Sequence, residues 1–174
     1  DLVRAAMTSR TRMIIVNSPH NPSGSTLKSD DLDQLQALTE DTNIIVLSDE
    51  VYEHMVFNGL PHESILTRPK LKQRAFVVSS FGKTYHATGW KVAYCIAPEA
   101  LSKEFRKVHQ YVTFTTHTPT QWALAEYMES HPEHYLELPQ FYQAKRDLFL
   151  EEMKDSRFKL SPSQGTYFQL ADYG

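Results

Sequence analysis

The sequence is poor in three things. It holds a single cysteine, Cys95, which excludes an internal disulfide and fits a reducing compartment. It holds no apolar run approaching the ~20 residues that a membrane-spanning helix needs. It also lacks an excess of positive charge: 18 basic against 21 acidic residues give a net charge of −3, so there is no electrostatic case for nucleic acid or an anionic membrane as partner. What is present is ordinary for a soluble globular protein, 41% hydrophobic and 22% charged residues in 174. Such a length buries one ordinary core and part of a second domain.

Four short apolar runs mark the first half: Met13 to Val16, Ile44 to Leu47, Ala75 to Val78 and Val92 to Ala97. Continuous rather than alternating, they predict buried strands of a mixed, mostly parallel sheet with flanking helices, the first of them buried on both faces. Between the first two, Asp30 and Asp31 open a predicted helix with Leu32, Leu35 and Leu38 at one-turn spacing. Prolines and glycine from Asn58 to Lys72 predict irregular surface. Pro98 starts a helix with Leu101, Phe105, Val108 and Val112 on one face. Thr118-Pro119 starts another, with Trp122, Ala125 and Met128 inward. A long helical pattern from Glu133 to Lys154 is interrupted by Pro139. Phe158 to Leu160 and Thr166 to Leu170 alternate as half-exposed antiparallel strands do. The fold class is therefore α/β, with a change of character near Ser130.

Chemistry concentrates after the strands. Asn21 lies in the loop Ser18-Pro19-His20-Asn21-Pro22-Ser23-Gly24, Asp49 ends the second run, and Lys83 follows the third. Ligands in open α/β sheets bind beyond the carboxyl ends of strands, so an amide, a carboxylate and an amine can share one pocket. A lysine in a turn of small and hydroxylic residues is either an anion ligand or a covalent attachment point. Two lysines, a hydroxyl and two glycines around one turn suit a phosphorylated aldehyde. Taken singly, each residue also has an ordinary role: Asn21 as a turn residue, Asp49 as a cap over Glu50 to His54, Tyr52 as packing, and Ser80, Lys83 and Lys91 as solvated loop groups. His20 reads either as a pocket wall or as loop structure. His131 and His134 read as exposed residues rather than metal ligands, and Tyr111, Phe114, Trp122 and Tyr127 as core or subunit interface.

The stretch from Ser79 to Ala93, with Lys-Thr-x-x-x-Thr-Gly-Trp-Lys at Lys83 to Lys91, resembles the lysine motif of the class I/II aminotransferases of fold-type I, which bind pyridoxal 5′-phosphate (PLP). The wording is similar to the branch of kynurenine/glutamine transaminases and methionine aminotransferases. Asn-Pro-Ser-Gly at Asn21 to Gly24 and Asp-x-x-Tyr at Asp49 to Tyr52 match further motifs, and 28 and 34 residues separate Asn21, Asp49 and Lys83 in turn. Gln164-Gly165-Thr166-Tyr167-Phe168 resembles the strand that opens the family's small domain. The resemblance implies that Lys83 joins the cofactor covalently and then acts as general base and acid. It implies that Asp49 pairs with the pyridine nitrogen, Asn21 and Tyr52 with the 3′-oxygen, and Ser80 and Lys91 with the phosphate. Two positions depart from the common pattern: Lys91 stands where most class I members hold arginine, replacing a bidentate fork by a point charge, and His86 stands where a small residue is usual.

Its further implications are a central portion of the PLP-binding large domain over residues 1–130, a connecting long helix over 131–155 and the beginning of a small α+β domain over 156–174. The chain starts mid-pattern and stops just after a strand-like run, so the expectation is a piece of a longer protein. A phosphate loop, a ring-stacking aromatic and a carboxylate-clamping arginine would lie outside it. The implied activity is transfer of an amino group from methionine, glutamine or an aromatic amino acid to a 2-oxo acid, by a cytoplasmic homodimer without metal. The alternatives are a PLP-dependent C–S β-lyase, or a non-catalytic ligand-sensing domain of the same fold.

Overall fold

The computed structural model describes residues 2–174. Its centre is a four-stranded sheet of β1 (Met13–Asn17), β2 (Ile45–Asp49), β3 (Ala75–Ser80) and β4 (Ala93–Ile96), in the order β1-β2-β3-β4. The first three strands are parallel and β4 is antiparallel to β3. Asn17 stands beside Asp49 and Asp49 beside Val78. The carboxyl ends of the parallel strands are thus aligned, which places their following loops on one edge.

Helix α1 (Leu2–Ala6) precedes β1, and α2 (Ser29–Thr39) crosses from β1 to β2. At its start the Asp31 carboxylate accepts the Lys28 N–H at 2.8 Å, tying down an otherwise orphan donor. Leu32 of α2 meets Val46, Ala75 and Val77 of the sheet in the main core. Ile65 and Leu71 complete that core, so the segment predicted as irregular surface is corrected. It holds a 3₁₀ turn, Ile65–Thr67, and a short helix α3, Pro69–Lys72, each burying one large aliphatic side chain. Each such burial contributes ~1.5–3 kcal/mol. The segment is irregular in period because it touches the core at only two points.

The sheet is covered unevenly. On one face Val46, Ser48, Ala75, Val77 and Ser79 are buried, whereas on the other Ile15 remains 68% exposed. The expectation of strands buried on both faces therefore fails for β1, an edge strand with one side open. Helices α5 (Glu99–Val112) and α6 (Thr118–Ser130) form where Pro98 and Thr118-Pro119 predicted, and α7 (His134–Glu152) follows the predicted long pattern but runs unbroken through Pro139, where an interruption was expected. Their facing differs from expectation. Trp122 is 73% exposed and Leu124 is the buried residue of α6, because this helix packs through the adjacent stripe. The residues after α7 pair as β5 (Lys159–Leu160) with β6 (Ala171–Asp172). Thr166 to Leu170 is not the predicted strand: Thr166 has φ of +68°, and its amide bonds to the Met55 carbonyl at 2.9 Å instead.

Two glycines bring that last segment against the loop after β1. Gly24 has φ of +69°, and a Cβ on it would lie 2.3 Å from Ser163 Cβ. A Cβ on Gly165 would lie 2.6 Å from the Met55 carbonyl oxygen. Gly24 carbonyl accepts the amides of Gln164 and Gly165 at 2.9 and 3.0 Å. Backbones approach there more closely than any side chain allows.

Candidate active site at the carboxyl edge of the sheet

Asn21, Asp49, Tyr52, Ser80 and Lys83 line one cleft of about 620 Å³, together with Asn17, Ser79, Tyr52's neighbour Val51 and the apolar side chains Ile15, Leu47, Val78 and Ala93. Its floor is the open face of the sheet and its polar wall is the set of loops beyond β1, β2 and β3. Asp49 is the last residue of β2, and its carboxylate accepts the Val51 N–H at 3.2 Å. That bond turns the chain so that Tyr52 points back into the molecule; the residues from Val51 to His54 form turns rather than the helix considered for Asp49 to cap.

Tyr52 is 2% exposed and packs edge-on against Tyr167 at 5.3 Å between ring centroids. Burial, then the Tyr167 hydroxyl and the Asp49 carboxylate, push its phenol well above the usual tyrosine range. It therefore stays an O–H donor at neutral pH. Lys83 lies in the four-residue helix α4 (Phe81–Thr84) that follows β3 without a break. Its Nζ stands 6.0 Å from the Tyr52 ring centroid and 5.7 Å from that of Tyr167, within cation–π reach. Ser80 starts α4, its Oγ accepting the Gly82 amide at 3.1 Å. Gly82 is tight against the next turn, since a Cβ there would meet Thr88 Cα at 2.8 Å.

Lys91 stands apart from this group. It closes the 3₁₀ turn Thr88–Trp90 in the left-handed region, φ +56°, and lies outside the residues lining the cleft. His20 lies outside as well, its Nδ1 paired with Ser23 Oγ at 2.7 Å. His134, predicted as exposed, is partly buried, with Nε2 2.9 Å from the Thr84 carbonyl.

Two residues escaped the sequence reading. Asn17 donates through Nδ2 to the Asp49 carbonyl at 2.9 Å and accepts the Asn21 amide on Oδ1 at 2.8 Å. It fastens the Asn21 loop to the end of β2. The available signal was its place, a polar residue ending an apolar run as Asp49 does. Tyr167 was quoted only as part of a motif, yet its ring packs on Tyr52 and stands, like it, within cation–π reach of Lys83. It arrives from far along the chain, which no local pattern reveals.

Among the described residues no group of three metal-ligating side chains gathers, and no helix is long and apolar enough to cross a membrane. The cleft gathers a carboxylate, an amide, a phenol, a hydroxyl and one amine, a donor and acceptor set suited to a small polar ligand.

Known proteins resemble this chain over nearly its whole length. A methionine aminotransferase of Escherichia coli is 51% identical over 169 residues, which cover 97% of this chain and 44% of the relative. A kynurenine–oxoglutarate transaminase of Dictyostelium discoideum is 38% identical over 97% of this chain and 40% of its own length. Among solved structures, Escherichia coli YbdL, reported as a methionine aminotransferase, superposes with a TM-score of 0.95 at 50% identity, covering 99% of this chain and 46% of that one. The N-succinyldiaminopimelate aminotransferase of Mycobacterium tuberculosis gives 0.92 at 33% identity, over 98% and 44%. The chain thus spans less than half the length of the relatives it matches. The sequence model described as aminotransferase class I and II matches residues 1–174. With all of its residues matched and its sheet superposing on solved members, this chain belongs to the class I and II aminotransferases.

Proposed function

We propose that the full-length protein is a PLP-dependent aminotransferase, moving an amino group from methionine, glutamine or an aromatic amino acid to a 2-oxo acid. The observation that carries the reading is the convergence of Asn21, Asp49, Tyr52, Ser80 and Lys83 on one cleft. The donor set fits the cofactor. Lys83 offers an amine for an aldehyde, Asp49 a carboxylate for a protonated ring nitrogen, and Tyr52 and Asn21 donors for the 3′-oxygen. Ser80 offers a hydroxyl for phosphate. Lys91, on the turn that packs behind Ser80, is proposed to bring its positive charge to the same phosphate through its long, flexible stem.

When bound, PLP supplies an aldehyde carbon to receive the amino group and a ring that withdraws electrons. The chain's own residues do the rest. The Asp49 carboxylate would pair with the ring nitrogen and favour its protonated form. Tyr52, held protonated by its surroundings, would donate its O–H to the 3′-oxygen. Lys83, once its amine is free, would accept the proton of the substrate's α-carbon and hold it at Nζ. The packed rings of Tyr52 and Tyr167 lie together on one side of that amine.

The likeness to methionine and kynurenine aminotransferases supports the choice of donors, and the exposed apolar faces of α5 and α6 support a homodimer. Residues 1–130 are proposed as part of the cofactor domain, 131–155 as a connecting helix and 156–174 as the start of a smaller domain. The test is the full-length protein with methionine and a 2-oxo acid, its cofactor fixed by borohydride and the Lys83 peptide weighed. Amino transfer and a cofactor mass on that peptide are expected. Pyruvate and ammonia released from a cysteine-type donor without amino transfer would make it a β-lyase. Cofactor retention with no turnover of either kind would make it a ligand sensor.

A further inference from the structure

Three consecutive residues after Lys83 are gripped by three residues of α6 and α7. The Thr84 carbonyl, last of α4, faces His134 Nε2 at 2.9 Å. The Tyr85 ring stacks on the His134 ring, 5.2 Å apart and 19° from parallel. His86, in the left-handed region with φ +54°, meets the Tyr142 hydroxyl through Nδ1 at 3.2 Å. His134 is itself walled by Tyr127, which lies edge-on at 5.5 Å and brings its hydroxyl to Nδ1 at 3.2 Å.

The chemistry of these contacts fixes a direction. A carbonyl oxygen only accepts, so His134 carries its proton on Nε2, and in the neutral ring Nδ1 accepts from Tyr127. A helix of four residues cannot satisfy its own last carbonyls. Within α4 and its exit, Phe81 carbonyl takes the Tyr85 amide, and Gly82 carbonyl takes the Ala87 amide at 3.0 Å and the Thr88 hydroxyl at 3.1 Å. Thr84 carbonyl depends on a different helix altogether. That dependence transmits the position of α7 to the peptide next to the lysine.

Building on the cofactor reading, we infer that His134 is a positioning residue for Lys83, acting through the Thr84 carbonyl to hold α4 at the height at which Nζ reaches the cofactor's aldehyde. His134 touches neither substrate nor cofactor. The same bond gives His86 its partner, because it sets the turn from which His86 reaches Tyr142.

The test uses the full-length protein stripped of cofactor and given PLP, with the growth of visible absorbance followed and the Lys83 peptide weighed after borohydride. His134→Phe keeps the ring stack and removes the hydrogen bond. It slows capture at Lys83 about five- to tenfold, the factor expected for one net hydrogen bond, and lowers kcat with KM for the amino donor unchanged. His134→Gln, whose amide can reach the same carbonyl, returns both to within about twofold of the wild type. A merely structural role lowers the melting temperature in both variants without that split or that rescue, and overturns the inference. So does His134→Phe capturing PLP at the wild-type rate. Should His134→Phe not fold, NMR of the wild-type protein with isotopically labelled histidine decides: a protected Nε2–H tautomer supports the assignment and an Nδ1–H tautomer overturns it. A wild-type protein that takes no label at Lys83 overturns the cofactor reading itself, and this inference with it.

Discussion

Asn17 uses both ends of its amide on backbone groups, one in the Asn21 loop and one at the end of β2. Replacing it by alanine removes both bonds and frees the loop. Asn17→Ala is expected to cost about 1–3 kcal/mol and to weaken PLP retention about tenfold, read by denaturation and by cofactor dissociation of the full-length protein. Lys91→Ala is expected to raise the dissociation constant for PLP several-fold, by about 1 kcal/mol, while kcat under saturating cofactor stays near wild type. Glu50 makes a different case. It is 2% exposed and receives bonds from Ser48, His62 and the Ile65 amide at 3.0, 2.8 and 3.1 Å. Burial alone would raise its pKa, but hydrogen bonds from His62 and Ser64, the His62 charge and the Ile65 amide together hold it below the ordinary value. A carboxyl depressed on folding stabilises above its unfolded value of about 4.5 and loses that contribution as pH falls through the folded value. Glu50→Gln is therefore expected to lower stability at neutral pH and to flatten the loss below about pH 4.5, measured by urea denaturation across a pH series.

Helices repeat the lesson at a larger scale. Phe105, Val108 and Val112 lie along one side of α5 as their spacing predicts, yet Val108 is 63% exposed and no residue of the helix is buried. A stripe so regular is a surface built to be covered, and the proposed longer chain or its second copy is what would cover it. Val108→Asp is expected to raise the solubility of the isolated 174-residue chain and to destabilise the full-length protein by about 2–3 kcal/mol, read by sedimentation and thermal melting respectively. The sequence showed where α2, α5, α6 and α7 begin because caps and prolines act locally. It did not show that Leu124 rather than Trp122 turns inward, since facing is decided by what the helix packs on. It made β1 to β3 legible as apolar runs, but could not reveal that Ile15 stays uncovered here. Ile65 and Leu71 were hidden among prolines because two isolated anchors produce no period. Of the site, Asn21, Asp49 and Lys83 were readable as polar groups after strands and Tyr52 and Ser80 only through the motif resemblance, whereas Asn17 and Tyr167 owe their places to register and to long-range contact.

Taken as a whole, the molecule has a cleft with one finished wall. Loops beyond β1, β2 and β3 supply the polar side, while the floor of Ile15, Leu47 and Val78 is open to one side. The proton transfer proposed for Lys83 needs water kept away, and an open floor does not keep it away. The isolated chain is therefore expected to show no enzyme-like turnover of methionine with a 2-oxo acid, and the full-length protein to show it; paired assays at equal concentration settle the matter. The Gly24 contact with Gln164 and Gly165 adds a consequence for synthesis on the ribosome. The loop bearing Asn21 emerges early, but its clasp is encoded near the last residues of this chain. A nascent polypeptide can tie the asparagine to β2 through Asn17 once that strand has formed; the clasp at Gly24 closes only after the tail has been translated and has folded back.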